Sequence, residues 1–459
     1  MGLDTIDYIG KKHPKLLKFL SNFVIAAGYL MMAASLLLLI QVLIIMFKAP
    51  VLPKVPPLIP LVPYIDILIN KALPTVNIPP FYFTYWIIVI GIVAVFHEFA
   101  HGVFAKLKNV RIISTGFGFI GPLLAAFVEI DEKQMEKKPV KAQLAVLAAG
   151  STANLVLWIM FLAITGVFFT AAFVPSGVVF NNYMSEELSF SDIALIDNHS
   201  LSREIQNIDE LIAVVENVNK SIVEIKSKEK SFFADLYNLH KQKGVIDRLD
   251  NDIDSVYLIA DSPAFNANLS GAIQEISTES ETYKIGDLDS LREALINLNA
   301  GQEVDIKTTK GNYSLRLTDH PSEEDRSALG ISFLRPDQIL ELEKSNKELG
   351  TVGENFGKTI SFFVYKKPYT YYEPKGNSTN GSIIVFIYNL LYWIMIVNFF
   401  VMLFNMLPVG IVDGGRFFYL TALGITKSKK KAFALFKLMT WFIILIFVGL
   451  MSIWFVKAF

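Results

Sequence analysis

The sequence predicts a multi-span α-helical membrane protein carrying a large polar α+β insert. Hydrophobic residues make up 53% of the 459 positions and charged ones only 19%, a balance too apolar for an ordinary soluble enzyme. Five apolar runs are long enough to cross ~30 Å of hydrocarbon. They lie at about Ser21–Phe47, Phe81–Leu107, Ala142–Phe173, Ile383–Leu407 and Ala432–Phe455. One long polar stretch, Pro175–Ser382, separates the third run from the fourth.

Lys11, Lys12, Lys15 and Lys18 precede the first run, which places the N-terminus in the cytoplasm because basic flanks stay on that side. The run is too long for a signal-peptide core and shows no small-residue cleavage pattern, so it reads as a retained span. After it, PVLPKVPPLIPLVP sets prolines 50, 53 and 56, then 57, 60 and 63, at a three-residue spacing. That spacing favours an extended, polyproline-like linker. Threading alternately, the cytoplasmic loops hold Lys106, Lys108, Arg111, Lys133, Lys137, Lys138 and Lys141, then Arg416, Lys427, Lys429, Lys430 and Lys431. The expected topology is therefore a multi-pass protein of the cell membrane with an extracytoplasmic insert. All six N-x-[ST] matches (Asn198, Asn219, Asn268, Asn312, Asn377, Asn380) fall in the insert, as a polar external segment would have them.

Within the insert, Ile205, Ile208, Ile212, Val215, Val218, Ile222 and Ile225 recur at three and four residues, the period of an amphipathic helix. The expected organisation is a first membrane half over residues 1–174, a helical insert over 175–255, a second module over 256–335, a connector over 336–382 and a second membrane half over 383–459. The net charge of −1 leaves no basic footprint for nucleic acid. The absence of cysteine excludes disulfides and thiolate metal sites.

The second run contains GIVAVFHEFAHGVFAKL. Ionisable groups in a spanning helix are costly and face a partner or a wet cavity. Positions i and i+4 share a helix face, so His97 and His101 can hold one metal ion through two imidazoles. Glu98 stands beside them, where a carboxylate can take a proton from the attacking water, as in H-E-x-x-H metallohydrolases. A catalytic zinc normally takes a third protein ligand. His13, His199, His240 and His320 lie in polar segments far from any span, and Asp413 is the one acidic residue after Gly376. Asp413 follows the fourth run, within NMLPVGIVDGGRFFY, where Pro408, Gly410, Gly414 and Gly415 interrupt the helix. In the alternating topology the second and fourth runs point the same way, which brings Asp413 to the depth of His101.

These residues resemble the site-2 proteases, intramembrane zinc metalloproteases that cleave transmembrane segments. HEFAH matches the first family motif, and Asn405, Pro408, Asp413 and Gly414 match the second, N-x-x-P-x-x-x-x-D-G. GSTAN, Gly150–Asn154, is similar to the family's G-x-x-x-N element, and STGFGFIGPLLAAFVEI to its re-entrant β-hairpin, with Gly116 and Gly118 in the Gly-x-Gly. The resemblance implies a Zn²⁺ cofactor on His97, His101 and Asp413, Glu98 as the catalytic base, and substrate-binding roles for Asn154, Asn405, Pro408, Gly116 and Gly118. It implies single-span membrane proteins as substrates, within the lipid bilayer. DSPAFNANLSGAIQEI, a helix over Leu288–Leu295 and a hairpin over Val304–Leu317 resemble the PDZ domain of many family members, without the usual Gly-Asp after Leu269.

Two other readings share part of the pattern. EFAH also satisfies the Glu-x-x-His half-site of di-iron carboxylate proteins, which would need further carboxylates or histidines in the spans. A non-catalytic metal-binding receptor or scaffold would have no use for Glu98. Metal content and a cleavage assay separate the three.

Overall fold

The structure is a computed structural model. It describes all residues except 1–2, 13, 49–55, 57–60, 73–77, 121–122, 201–203, 229, 250–252, 321–325, 345–366, 368, 377 and 459. The chain divides into two compact units, residues 1–171 with 382–459, and residues 172–381. Most of the proline-spaced linker, at 49–55 and 57–60, lies outside the described residues.

The first unit opens with α1 (Leu3–Lys12), α2 (Pro14–Lys48), α3 (Ile65–Ala72) and α4 (Phe83–Leu107). Pro14 begins α2, where a missing N–H costs nothing. Asp66 in the first turn of α3 is buried and accepts a hydrogen bond from Phe81 N at 2.9 Å, which ties α3 to the approach to α4. After α4, Asn109 takes a left-handed φ of 53° and turns the chain into an antiparallel hairpin of β1 (Ile112–Ile120) and β2 (Leu123–Ile130). Then follow α5 (Glu132–Glu136), capped by Asp131, and α6 (Val140–Ala172). The unit closes with α7 (Ser378–Asn405), α8 (Asp413–Thr426) and α9 (Lys429–Ala458).

Among the described residues, five helices are long and apolar enough to cross a membrane, and they are α2, α4, α6, α7 and α9. They coincide with the five expected runs. α8 is additional and ends at Lys427, whose φ of 52° is left-handed.

Small residues let these helices approach closely, the usual means of packing apolar helices where burial from water supplies no drive. A Cβ built on Gly28 of α2 would stand 2.9 Å from Ala148 Cβ of α6, and one on Gly102 of α4 would meet Ile6 of α1 at 3.0 Å and Val128 of β2 at 3.2 Å. The resulting core joins Ile6, Val103, Phe104, Leu144, Ala145, Met402, Met406 and Phe417. α1, α4, α6, α7 and α8 thus converge on one packed region, which also carries HEFAH and the start of α8.

The second unit contains two six-stranded antiparallel sheets. One runs in the order Ser185–Ser189, Ser255–Ala260, Ser231–Ala234, Val223–Lys226, Leu195–Ile196, His199–Ser200. The helix Ile208–Val218 packs on it through Ile208, Leu211, Ile212 and Val215. The three-and-four periodicity is therefore helical only in its middle. Asn219 at φ 53° stops the helix, and Ile225 falls in the following strand, where Val223 and Ile225 alternate inward. Asn198, Asn219 and Asn268 all adopt left-handed φ, so the backbone gives each a reason to be asparagine.

The other sheet runs Asn312–Arg316, Glu303–Thr308, Ile273–Ser277, Phe173–Val178, Thr370–Pro374, with Thr282–Lys284 beside Ile273–Ser277. Glu303–Thr308 alternates exposed and buried along its length, the half-buried pattern of period two. The helix Leu288–Asn297 buries Leu291, Ala294 and Leu295 in the same core. The expected helix and hairpin of this module are both present. Residue 255, next to its expected start, opens the strand that pairs with Ser185–Ser189 and Ser231–Ala234.

Candidate metal centre

His97 and His101 lie one turn apart in the C-terminal half of α4, and their rings stand edge to face at 4.7 Å between centroids. Their Nε2 atoms are 3.1 Å apart. Asp413 reaches them from the other end of the chain. α7 stops at Asn405, and the loop through Pro408, which has no N–H to continue a helix, leads to Asp413 as the first residue of α8. Gly414 and Gly415 make that turn possible. A Cβ at Gly414 would stand 2.4 Å from Leu407 O, and one at Gly415 would stand 2.1 Å from Val409 O. The loop therefore folds back onto the first turn of α8 and fixes Asp413, whose Oδ2 lies 3.3 Å from His97 Nε2 and 3.2 Å from His101 Nε2.

Each ring is held from behind. His101 Nδ1 donates to the carbonyl of Val146 on α6 at 2.8 Å, which leaves Nε2 with a lone pair for a metal. His97 Nδ1 faces the carboxamide of Asn154, also on α6, at 3.0 Å. Between them, Gly150 lies directly over both rings. A Cβ there would stand 2.3 Å from His101 Nε2 and 2.6 Å from His97 Nε2.

Two imidazoles and a carboxylate form the donor set of a catalytic zinc that keeps one position open. Donors at ~2.0–2.2 Å from a tetrahedral ion stand about 3.3–3.6 Å from one another. The observed separations of 3.1, 3.2 and 3.3 Å fit such an ion. Among the described residues, His97, His101 and Asp413 are the one group of three or more His, Asp or Glu side chains close enough to share a metal. His199 and His240 lie in the other unit, where His240 pairs with Glu216 at 3.4 Å.

Glu98 stands outside this group of three. Its Oε2 accepts a hydrogen bond from the backbone N–H of Val128 in β2 at 3.1 Å. That N–H therefore points away from β1, and β2 is the strand that meets Glu98. Gly116 and Gly118 lie on β1, opposite Phe127 and Ala125. Asn405 brings its Nδ2 to 3.5 Å from His97 Nε2, on the face shared with Asp413. Pro408 is buried in the loop that positions Asp413. The backbone partners, Val128 N–H and Val146 C=O, had no side-chain signal by which the sequence could reveal them.

A family model described as peptidase family M50 matches residues 85–448. The chain belongs to peptidase family M50, the site-2 protease family. No curated protein shows significant similarity to it. The matched region runs from α4, which carries HEFAH, into α9. Family M50 consists of membrane-embedded metalloproteases, so the five apolar helices are those of a multi-pass membrane protein in a bilayer. M50 membership also accounts for His97, Glu98 and His101 within an apolar helix, where they would otherwise be costly.

Proposed function

We propose that this chain is an intramembrane zinc metalloendopeptidase that hydrolyses peptide bonds within the transmembrane segments of single-span membrane proteins, in regulated intramembrane proteolysis. The observation that carries this reading is the convergence of His97 Nε2, His101 Nε2 and Asp413 Oδ2 within 3.3 Å, with Glu98 on the same helix. These three residues would hold Zn²⁺, which when bound supplies Lewis acidity toward the scissile carbonyl and the attacking water.

Glu98 takes the proton of the attacking water at its carboxylate and returns it to the nitrogen of the leaving amine. The Val128 N–H, holding Oε2, fixes the carboxylate so that the other oxygen serves this transfer. Asn405, on the face of His97 that carries Nε2, is placed to donate to the substrate carbonyl. A helical substrate hides its carbonyls in intrahelical bonds, so it must unwind. The β1–β2 hairpin, in this reading re-entrant, offers a strand edge for the opened segment. The N-terminus is cytoplasmic and the insert extracytoplasmic, with a PDZ-like module at 256–335 that screens substrates by size.

Reconstituting the chain in liposomes with a single-span substrate tests the proposal. One zinc per chain and cleavage within the substrate span, lost in Glu98→Gln, is the expected result. Zinc binding without cleavage of any spanning segment would favour a metal-binding receptor instead.

A further inference from the structure

Asn154 is fully buried on α6, and its carboxamide lies behind the His97 ring. Its Nδ2 is 3.0 Å from His97 Nδ1, while Asp413, His101 and Asn405 all face the other ring nitrogen, Nε2. Its Oδ1 is buried with no hydrogen-bond partner. An unmet buried acceptor is costly and calls for a reason.

The ring chemistry of His97 supplies one. With a metal on Nε2, the proton of a neutral imidazole sits on Nδ1 and must be donated to an acceptor. The group facing Nδ1 is the Asn154 carboxamide, and half a turn of that amide exchanges its nitrogen for the unpartnered oxygen. With that oxygen on Nδ1–H, Nε2 keeps the lone pair on the side that Asp413 and His101 face. His101 differs, because its Nδ1 faces the Val146 carbonyl, which can only accept, at 2.8 Å. A backbone carbonyl thus fixes the His101 tautomer, whereas that of His97 follows its amide neighbour.

We infer that Asn154 is a positioning residue that sets the His97 tautomer, its carboxamide oxygen accepting from Nδ1–H so that Nε2 is left to bind a metal. The inference rests on the proposed function only in taking His97 as a zinc ligand. It moves Asn154 from the substrate contact implied by sequence to a place behind a ligand, and leaves the substrate face to Asn405.

The test uses the full chain in detergent, with ¹⁵N-labelled histidine, in native, Asn154→Asp and Asn154→Leu forms. Zinc retention is read by competition with a chromogenic chelator, and the His97 tautomer by ¹⁵N shifts before and after zinc addition. The leucine form should lose zinc about 10–100-fold more readily, the range for removing an outer partner of a ligating histidine. The aspartate form should hold zinc at least as well as native. With zinc bound, the His97 ¹⁵N shifts of the aspartate form should show a stronger Nδ1–H hydrogen bond than native, and those of the leucine form a weaker one. Native-like zinc retention in the leucine form together with slowed cleavage would show a substrate contact and overturn the inference. So would zinc-loaded His97 ¹⁵N shifts identical in all three forms. If the leucine form does not fold, the near-isosteric aspartate comparison decides alone. A native chain that takes up no zinc would instead defeat the proposed function.

Discussion

Gly150 lies so close to His101 that a Cβ on it would stand 2.3 Å from Nε2, and 2.6 Å from Nε2 of His97. No side chain of any size fits between α6 and the two rings. Gly150→Ala should therefore displace a histidine or push α6 away, at about 1–3 kcal/mol, the usual cost of overpacking, and weaken zinc retention. Thermal unfolding and metal analysis after dialysis would check this. A variant that keeps zinc and melts like native would mean that the helices separate freely here.

Glu98→Gln keeps the shape of the side chain and removes its ability to accept a proton. Cleavage should fall by about 10²–10⁴-fold, the range for a lost general base, with one zinc per chain retained. Substrate turnover alongside metal content measures both. Near-native turnover would assign the proton transfer to another group.

Asp413→Asn replaces an anionic donor by a neutral amide while the Gly414–Gly415 turn stays intact. The folded protein should persist, with zinc stripped by a chelator at least about 100-fold more easily, beyond the ~10–100-fold expected for an outer partner. Unchanged stripping rates would remove Asp413 from the ligand set.

In the second unit, the Lys367 ammonium lies 2.7 Å from Asp287 Oδ2 and, with the Ser290 N–H, holds the Asp287 carboxyl below its ordinary 3.8. A carboxyl lowered on folding stabilises the native state above its unfolded value and loses that contribution as pH falls through the folded one. Protection of amides in Leu288–Asn297 should therefore decline as pH drops from about 5 to below 3.8. Asp287→Asn keeps an N-cap acceptor and should flatten the dependence. Hydrogen exchange across this range measures it, and equal slopes in the two proteins would dismiss the pair.

Val179 N donates to Tyr369 O at 2.8 Å, so the chain enters and leaves the insert side by side. Replacing residues 180–368 by a short flexible linker should leave the zinc ligands in place, because all three belong to the other unit. Under the size-filter reading, a substrate with a bulky folded outer domain, previously spared, should now be cut. Loss of cleavage of short substrates with zinc still bound would show recruitment instead.

The sequence by itself determined the five spans, since twenty or so consecutive apolar residues have few other fates. It also picked out the three candidate ligands, which the fold brings together. His97 and His101 share a face by helical period alone, and Asp413 was the one acidic candidate left beyond Gly376. Where a signal depended on partners, it failed or fell silent. The isoleucine repeat past Val218 became a strand because Asn219 turned the backbone and Val223–Lys226 found neighbours in a sheet. α8 stayed hidden because its fourteen residues carry no span-length apolar run. Only the tertiary structure put Val128 N–H on Glu98, Val146 C=O on His101, and the Asn154 amide against His97 Nδ1. The reason is physical. Period and composition are properties of a segment, whereas a hydrogen bond to a distant backbone group, or which side of an imidazole an amide meets, exists only after helices dock.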